Sequence, residues 1–236
     1  MKLPPLIRGQ LVKRYKRFLA DILLEGGEPI TAHVANPGAM TGLAAPGSEV
    51  YMSQSDDPRR KLRHSWELVR AGRALVCVNT ARANPLVEEA LRSGAIAELA
   101  GFSALRREVP YGDSRLDFEL LFDDADPSTP TRCLVEVKQV TLDLGDGESG
   151  FPDAVTQRGA RHLRELISAR RAGHRAVLLF CSGRSDTEAV RPAAHIDRAY
   201  AEGLREAHTA GVEVLAYAGR ITQRALTLTR RVPVRW

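Results

Sequence analysis

The sequence predicts an α/β (α+β) chain in two parts. Residues 1–80 read as a small β-barrel, with an OB-like topology as one option, and residues 81–236 as a mixed-sheet α/β domain. Three observations carry this. Up to about residue 79, short apolar runs are broken by Gly, Pro and other turn formers. Near Thr80 the apolar spacing changes to a helical period. Beyond it, strand-like runs alternate with amphipathic helices. With 44% hydrophobic and 27% charged residues in 236, the composition excludes a disordered, collagenous or coiled-coil chain. No apolar run approaches the roughly 18 residues of a membrane helix. Met1-Lys2-Leu3-Pro4 opens no secretory signal, so a cytoplasmic protein without a membrane partner is expected.

In the first part, strands are expected at residues 10–15, 17–24, 29–34 and 49–53, with Gly26-Gly27 as a hairpin turn. Asn36-Pro37-Gly38 through Pro46-Gly47 reads as a long loop of the kind that carries function. Strands at 61–69 and 74–79 complete a barrel of about five strands. Asn84 as cap and Pro85 in the first turn then start a helix, whose stripe of Leu86, Ala90, Leu91 and Leu99 reaches about residue 100. Strands at 106–110, 114–122 and 132–142 follow, then helix 154–171, strand 175–181, helix 196–210 and strand 212–217. The segment 79–84 has no flexible composition, so the two parts are expected to pack together. Cys77, Cys133 and Cys181 each sit inside an apolar run without metal-site spacing and read as buried small hydrophobes.

Strict alternation over 114–122 puts Leu116, Phe118, Leu120 and Phe122 on one face and Arg115, Asp117, Glu119 and Leu121 on the other. The next strand carries Glu136 and Lys138 side by side on one face of an otherwise apolar run. Residues 124–130 are rich in turn formers, and a turn centred between Asp126 and Pro127 would set Asp117 opposite Glu136. Facing like charges cost stability unless a cation neutralises them. The hairpin is therefore a candidate divalent-metal site, with Lys138 beside it. The order of helix, three strands with the acids and ExK on the second and third, then helix is similar to the PD-(D/E)xK nuclease core, a restriction-endonuclease-like fold. That similarity implies Asp117 and Glu136 as ligands of Mg²⁺ or Mn²⁺ and Lys138 as the group that positions or activates the attacking water. Glu89, on the preceding helix, is a candidate third carboxylate, with a solvent-facing role as its alternative.

Net charge is +5, and its placement says more than its size. Lys2, Arg8, Lys13, Arg14, Lys16 and Arg17 occur in the first 17 residues without an acid, and Tyr15 and Phe18 are interleaved. Arg59-Arg60-Lys61 forms a second basic cluster. Cations with an aromatic platform on a small barrel suit single-stranded nucleic acid, by phosphate neutralisation and stacking. Phe18 itself is expected in the core.

Taken together, these motifs make the chain similar to the sugar fermentation stimulation protein A family. The matching stretches are 13–21, the loop with His33, Asn36, Gly38 and Met40, Arg60-Lys61, 66–68, 78–80, Asn84 with Glu89, 114–118, 136–142, 151–156 through His162, and His195-Ile196-Asp197 with Tyr200. The resemblance implies an OB-like domain joined to a PD-(D/E)xK domain, DNA or RNA as partner, and nuclease activity. It is compatible with a homodimer. The family loop commonly reads His-Cys-Pro-Asn-Thr-Gly, whereas Val34, Ala35 and Pro37 stand here at three positions. Only His33, Asn36 and Gly38 are left to carry a shared role, with turn chemistry as the alternative for Asn36. Gln157, Arg158, Arg161 and His162 share one side of the helix after ExK, which suggests phosphate contacts for Arg158 and His162. The competing function is a non-catalytic DNA-binding regulator of sugar metabolism on a nuclease scaffold.

Overall fold

Strand β1 (Leu6–Tyr15) is long enough to serve two neighbours, pairing antiparallel with β2 (Leu19–Leu24) and, through its first half, with β4 (Glu49–Gln54). Gly9 permits the close approach of β2 there, since a Cβ would lie 2.7 Å from the Leu23 carbonyl oxygen. With β3 (Pro29–His33), β5 (His64–Ala71) and β6 (Ala74–Cys77), the sheet order is β3-β2-β1-β4-β5-β6. A short parallel pairing, Ala32 with His64 and His33 with Ser65, joins β3 to β5. Five strands thereby close into a barrel, and β6 is an appended edge. Leu11, Ile22, Met52 and Trp66 fill its interior. The computed structural model describes residues 1–123 and 131–236. The expected turn between Asp126 and Pro127 lies outside the described residues.

Helix α1 (Ala83–Arg92) starts one residue before the expected cap and stops well short of residue 100. Ser93 is followed by Gly94 at φ 71°, and the bonds Gly94 N–H to Leu91 O and Ala95 N–H to Ala90 O form a Schellman closure. Leu99 reaches the core from a separate 3-10 turn, Ala97–Leu99. Then come β7 (Ala104–Tyr111), β8 (Ser114–Leu121), β9 (Arg132–Val140), β10 (Leu142–Gly145), β11 (Glu148–Phe151), α2 (Gln157–Arg171), β12 (Arg175–Ser182), β13 (Ala189–Pro192), α3 (Arg198–Thr209), β14 (Glu213–Ala218) and β15 (Arg230–Arg231). The main sheet runs β15-β14-β12-β9-β8-β7, parallel at β9, β12 and β14 and antiparallel elsewhere. Strands β10, β11 and β13 form a small second sheet that the sequence reading did not contain.

The two parts share a core: Tyr51 and Leu68 of the barrel belong to one cluster with Leu86, Val135 and Val177. Backbone bonds extend it, with Cys77 N–H donating to Gly183 O at 2.7 Å and Ser185 N–H to Leu75 O at 3.1 Å. All three cysteines are buried and free, and burial pushes each thiol up to about 12. Among the described residues, no helix is long and apolar enough to cross a membrane.

Candidate active site

The strand alternation expected for β8 breaks at Asp117. Leu116 packs into the cluster formed with α2 and α3, while Phe118 and Leu120 pack into the cluster on the α1 side. Opposite it on β7, Glu108 takes φ 51°, and the β7–β8 ladder skips this one pair. The β8–β9 ladder pairs Phe118 with Val135 and Glu119 with Leu134, a register that sets Asp117 beside Glu136 as the sequence predicts. One residue beyond that ladder, Asp117 Oδ2 accepts from Val137 N–H at 2.8 Å, and Oδ1 accepts from Asn84 Nδ2 at 2.7 Å. Asn84, read as a helix cap, is instead the side chain by which α1 holds this carboxylate.

Glu136 is buried, as one glutamate in a run of apolar neighbours must be to share their face. Its Oε1 receives both His162 Nδ1 and Lys138 Nζ, which themselves lie 3.0 Å apart. Its Oε2 is buried, with no hydrogen-bond partner among the described residues. Burial pushes the Asp117 carboxyl up to about 6, with the neighbouring Glu136 charge adding to it. For Glu136 burial acts in the same upward direction, but His162 and Lys138 outweigh it and hold the group below the usual range. Two oxygen-donor carboxylates, one with an oxygen stripped of water and unpartnered, fit a hard divalent cation. Among the described residues no group of three or more His, Cys, Asp or Glu is arranged to hold an ion.

These residues line a cleft of about 540 Å³ between barrel and α/β domain, whose other walls include Arg17, Asn36, Gly38, Asn84, Asp153, Thr156 and Arg158. Glu89 does not join them. It lies on α1 with its side chain more than half exposed, paired with the amino terminus, so it is not a third ligand here. His162, on α2, lines the cleft but is buried against β9 with Nδ1 turned to Glu136, so that nitrogen is committed to the carboxylate and not to the expected phosphate contact. Arg158 is exposed at the rim, its Nε 3.4 Å from His162 Nε2, whereas Gln157 is exposed and outside the cleft lining.

In the barrel, the basic run divides. Arg14 donates to the carbonyl oxygens of Arg17, Asn36, Gly38 and Ala39 at 2.9–3.0 Å, so it holds the loop rather than offering a free phosphate contact. Lys13 pairs with Asp21 at 3.5 Å and lies over the Tyr15 ring, whose hydroxyl donates to the same Asp21. Lys16 and Arg17 are exposed and have no carboxylate partner within 4.0 Å among the described residues. Asn36 is buried, donating to Val78 O and accepting from Gly38 N–H, so the turn explanation holds for it. Arg60 donates to Ser65 Oγ, and neither it nor Lys61 lines the cleft. Phe18, expected in the core, is 43% exposed and stacked on His33. Asp153 was not singled out by sequence reasoning. Its Oδ2 accepts from Met40 N–H at 3.0 Å, and no spacing signal in the chain announces that long-range bond.

The family model of the SfsA N-terminal OB domain matches residues 12–78, and that of the sugar fermentation stimulation protein RE domain matches residues 81–225. Relatives named sugar fermentation stimulation protein homolog include one from Ectopseudomonas mendocina, 56% identical over 98% of this chain and 97% of its own. Another, from Pseudomonas aeruginosa, is 55% identical over the same shares. A solved structure, Pyrococcus furiosus SfsA in complex with Ca²⁺, superposes with a TM-score of 0.89 at 24% identity, covering 100% of this chain and 98% of that one. By these matches along both of its parts, the chain belongs to the sugar fermentation stimulation protein family.

Proposed function

We propose that this chain is a metal-dependent phosphodiesterase acting on DNA or RNA. The observation that carries the reading is the unpartnered, buried Glu136 Oε2 beside Asp117 in a cleft with Arg17 and Arg158 at its walls. Asp117 and Glu136 would hold Mg²⁺ or Mn²⁺, the remaining positions being left to water and substrate phosphate, since a small hard cation needs few protein carboxylates. Such an ion, when bound, neutralises charge developing on the phosphate and makes water a better nucleophile. The Ca²⁺ held by the archaeal SfsA is in keeping with an oxygen-lined divalent site.

The chain's own residues do the rest. Asn84 and the Val137 amide fix both oxygens of Asp117, so its orientation is set before any ligand arrives. His162 and Lys138 occupy Oε1 of Glu136 and leave Oε2 turned to a different use. The Lys138 ammonium offers a positive charge for a phosphate oxygen or a hydrogen bond for the attacking water. Arg17 and Arg158 supply cations at the walls to hold the phosphates on either side.

Asp117→Asn tests the reading while keeping the shape. The Asn84 amide can flip, so that the new amide donates to its oxygen while still accepting from Val137 N–H. Cleavage of an oligonucleotide in Mg²⁺ or Mn²⁺ should collapse, with binding retained. Equal rates in variant and parent would overturn the assignment. A parent that binds but does not cut would leave the regulator reading.

A further inference from the structure

The most exposed aromatic surface of the barrel lies beside the cleft and takes no part in the chemistry proposed above. Phe18 ends the tip joining β1 to β2, with 43% of its surface exposed. Its ring stacks on His33, centroids 6.5 Å apart and planes 23° from parallel. That leaves the other face of Phe18 open. His33 is fixed from both sides, paired with Leu19 of β2 and with Ser65 of β5, so the pair is backed by three strands.

Cations flank this ring. Lys16 and Arg17 immediately precede it, and both adopt the left-handed backbone, φ 48° and 65°, that glycine or asparagine would take with less strain. Arg60 bonds to Ser65, the neighbour of His33, and brings a third cation to the same end of the barrel. Arg17 also lines the cleft that holds Asp117 and Lys138. Phosphate-binding charge and an open π face therefore run continuously out of the cleft. A flat ring between cations suits a nucleobase better than an apolar protein side chain, because the sugar–phosphate backbone meets the cations while the base meets the ring.

We propose that Phe18, backed by His33, is a stacking platform for one unpaired base of a strand whose phosphate occupies the cleft, so that single-stranded or frayed nucleic acid is preferred over blunt duplex. This rests on reading the cleft as a nucleic-acid site. In duplex both faces of each internal base are already stacked, and the platform has nothing to take up.

The test is binding of a labelled single-stranded oligodeoxyadenylate of about 20 nucleotides, and of a blunt duplex of the same length, in EDTA so that no cleavage occurs. Phe18→Ala should weaken single-strand binding roughly 5- to 150-fold and duplex binding less than about twofold, and Phe18→Trp should restore the single-strand affinity. Because Phe18 is exposed, the variants should melt with the parent. Unchanged single-strand binding in Phe18→Ala, equal losses on both ligands, or no rescue by Trp would overturn the platform. The first of these results would leave the ring to a protein partner. If the parent cuts the oligonucleotide in Mn²⁺ and Phe18→Ala binds it undiminished, only the platform fails. If the parent neither binds nor cuts the single strand or the duplex, the nuclease reading fails as well.

Discussion

Glu136 and Asp117 sit close together and burial pushes both carboxyls up, yet their net shifts run in opposite directions, and the difference is made by single neighbours. Glu136 has Lys138 and His162 on one oxygen, whereas the hydrogen-bond donors to Asp117 among the described residues are the neutral Asn84 and Val137 N–H. The Asp117 carboxyl is raised from 3.8 to about 6 by burial first and by Glu136 second. A raised acid binds its proton more tightly in the folded than in the unfolded chain, so ionising it opposes folding. That cost is absent below the unfolded value, grows as pH rises between them, and is complete above the folded value, at about 1.4 kcal/mol per unit. In chelator, the parent should therefore lose on the order of 3 kcal/mol from this group between about pH 4 and pH 7. Asp117→Asn should lack that component in urea denaturation at the two pH values; identical pH dependence in both proteins would contradict the burial argument. Mg²⁺ should raise the melting temperature of the parent and not of the variant, because an ion that binds only the folded state stabilises it. Lys138 carries no ligand oxygen, so Lys138→Met should cost about 10²- to 10³-fold in rate while the metal concentration for half-activity moves only a few-fold. An unchanged rate would return Lys138 to a purely structural partner of Glu136.

The elements differ in how far local sequence governs them, and the site inherits that difference. The β8–β9 register was legible because a turn-rich stretch between two apolar runs leaves one pairing that keeps Leu120 and Cys133 in the core, and the same pairing sets Asp117 beside Glu136. The end of α1 was misread because Leu99 continues the stripe, although Gly94 with its positive φ marks the stop. Strands β10, β11 and β13 have four residues each and two glycines at their joint, too short for a period to show. The side of α2 that holds His162 was legible, but not that β9 lies close enough to bury it. Least visible was the reversal at Asp117, since alternation alone puts Leu116 and Phe118 together. Glu108 accompanies that reversal with φ 51° and an exposed side chain. Glu108→Gly should stabilise the protein by about 1 kcal/mol, because glycine takes this conformation without the Cβ clash. Thermal unfolding reads the result. A fall in melting temperature would mean that Glu108 makes a compensating interaction on the surface of β7.

Across the whole molecule, cleft geometry depends on how the barrel loop meets the α/β domain, and Asp153 makes the contact at the loop itself. Asp153 Oδ2 accepts from Met40 N–H at 3.0 Å, and the same carboxylate lies where a Cβ on Gly38 would be, 2.3 Å from Oδ2 and 2.5 Å from Oδ1. Arg14 holds the loop from the barrel side through the Asn36, Gly38 and Ala39 carbonyls. The φ of Gly38 is not positive, so alanine is excluded by the Asp153 carboxylate and not by the backbone. Gly38→Ala must therefore displace Asp153 or lift the loop, and either movement breaks the Met40 bond. The expected loss is about 1 kcal/mol for one hydrogen bond, small against the shared core, so the chain should stay folded. Cleavage should fall by more than that, because Arg17 and Asp117 line the cleft from opposite parts and their separation would change. Removing the obstructing carboxylate tests the cause. Asp153→Ala alone loses the Met40 bond, but in the Gly38→Ala background it also removes the clash, so the double variant should be more stable and more active than the sum of the two single effects. Strict additivity in that cycle would mean that the two residues do not meet in solution, and that the barrel is positioned without them, by the shared core and the β6 contacts with residues 183–185.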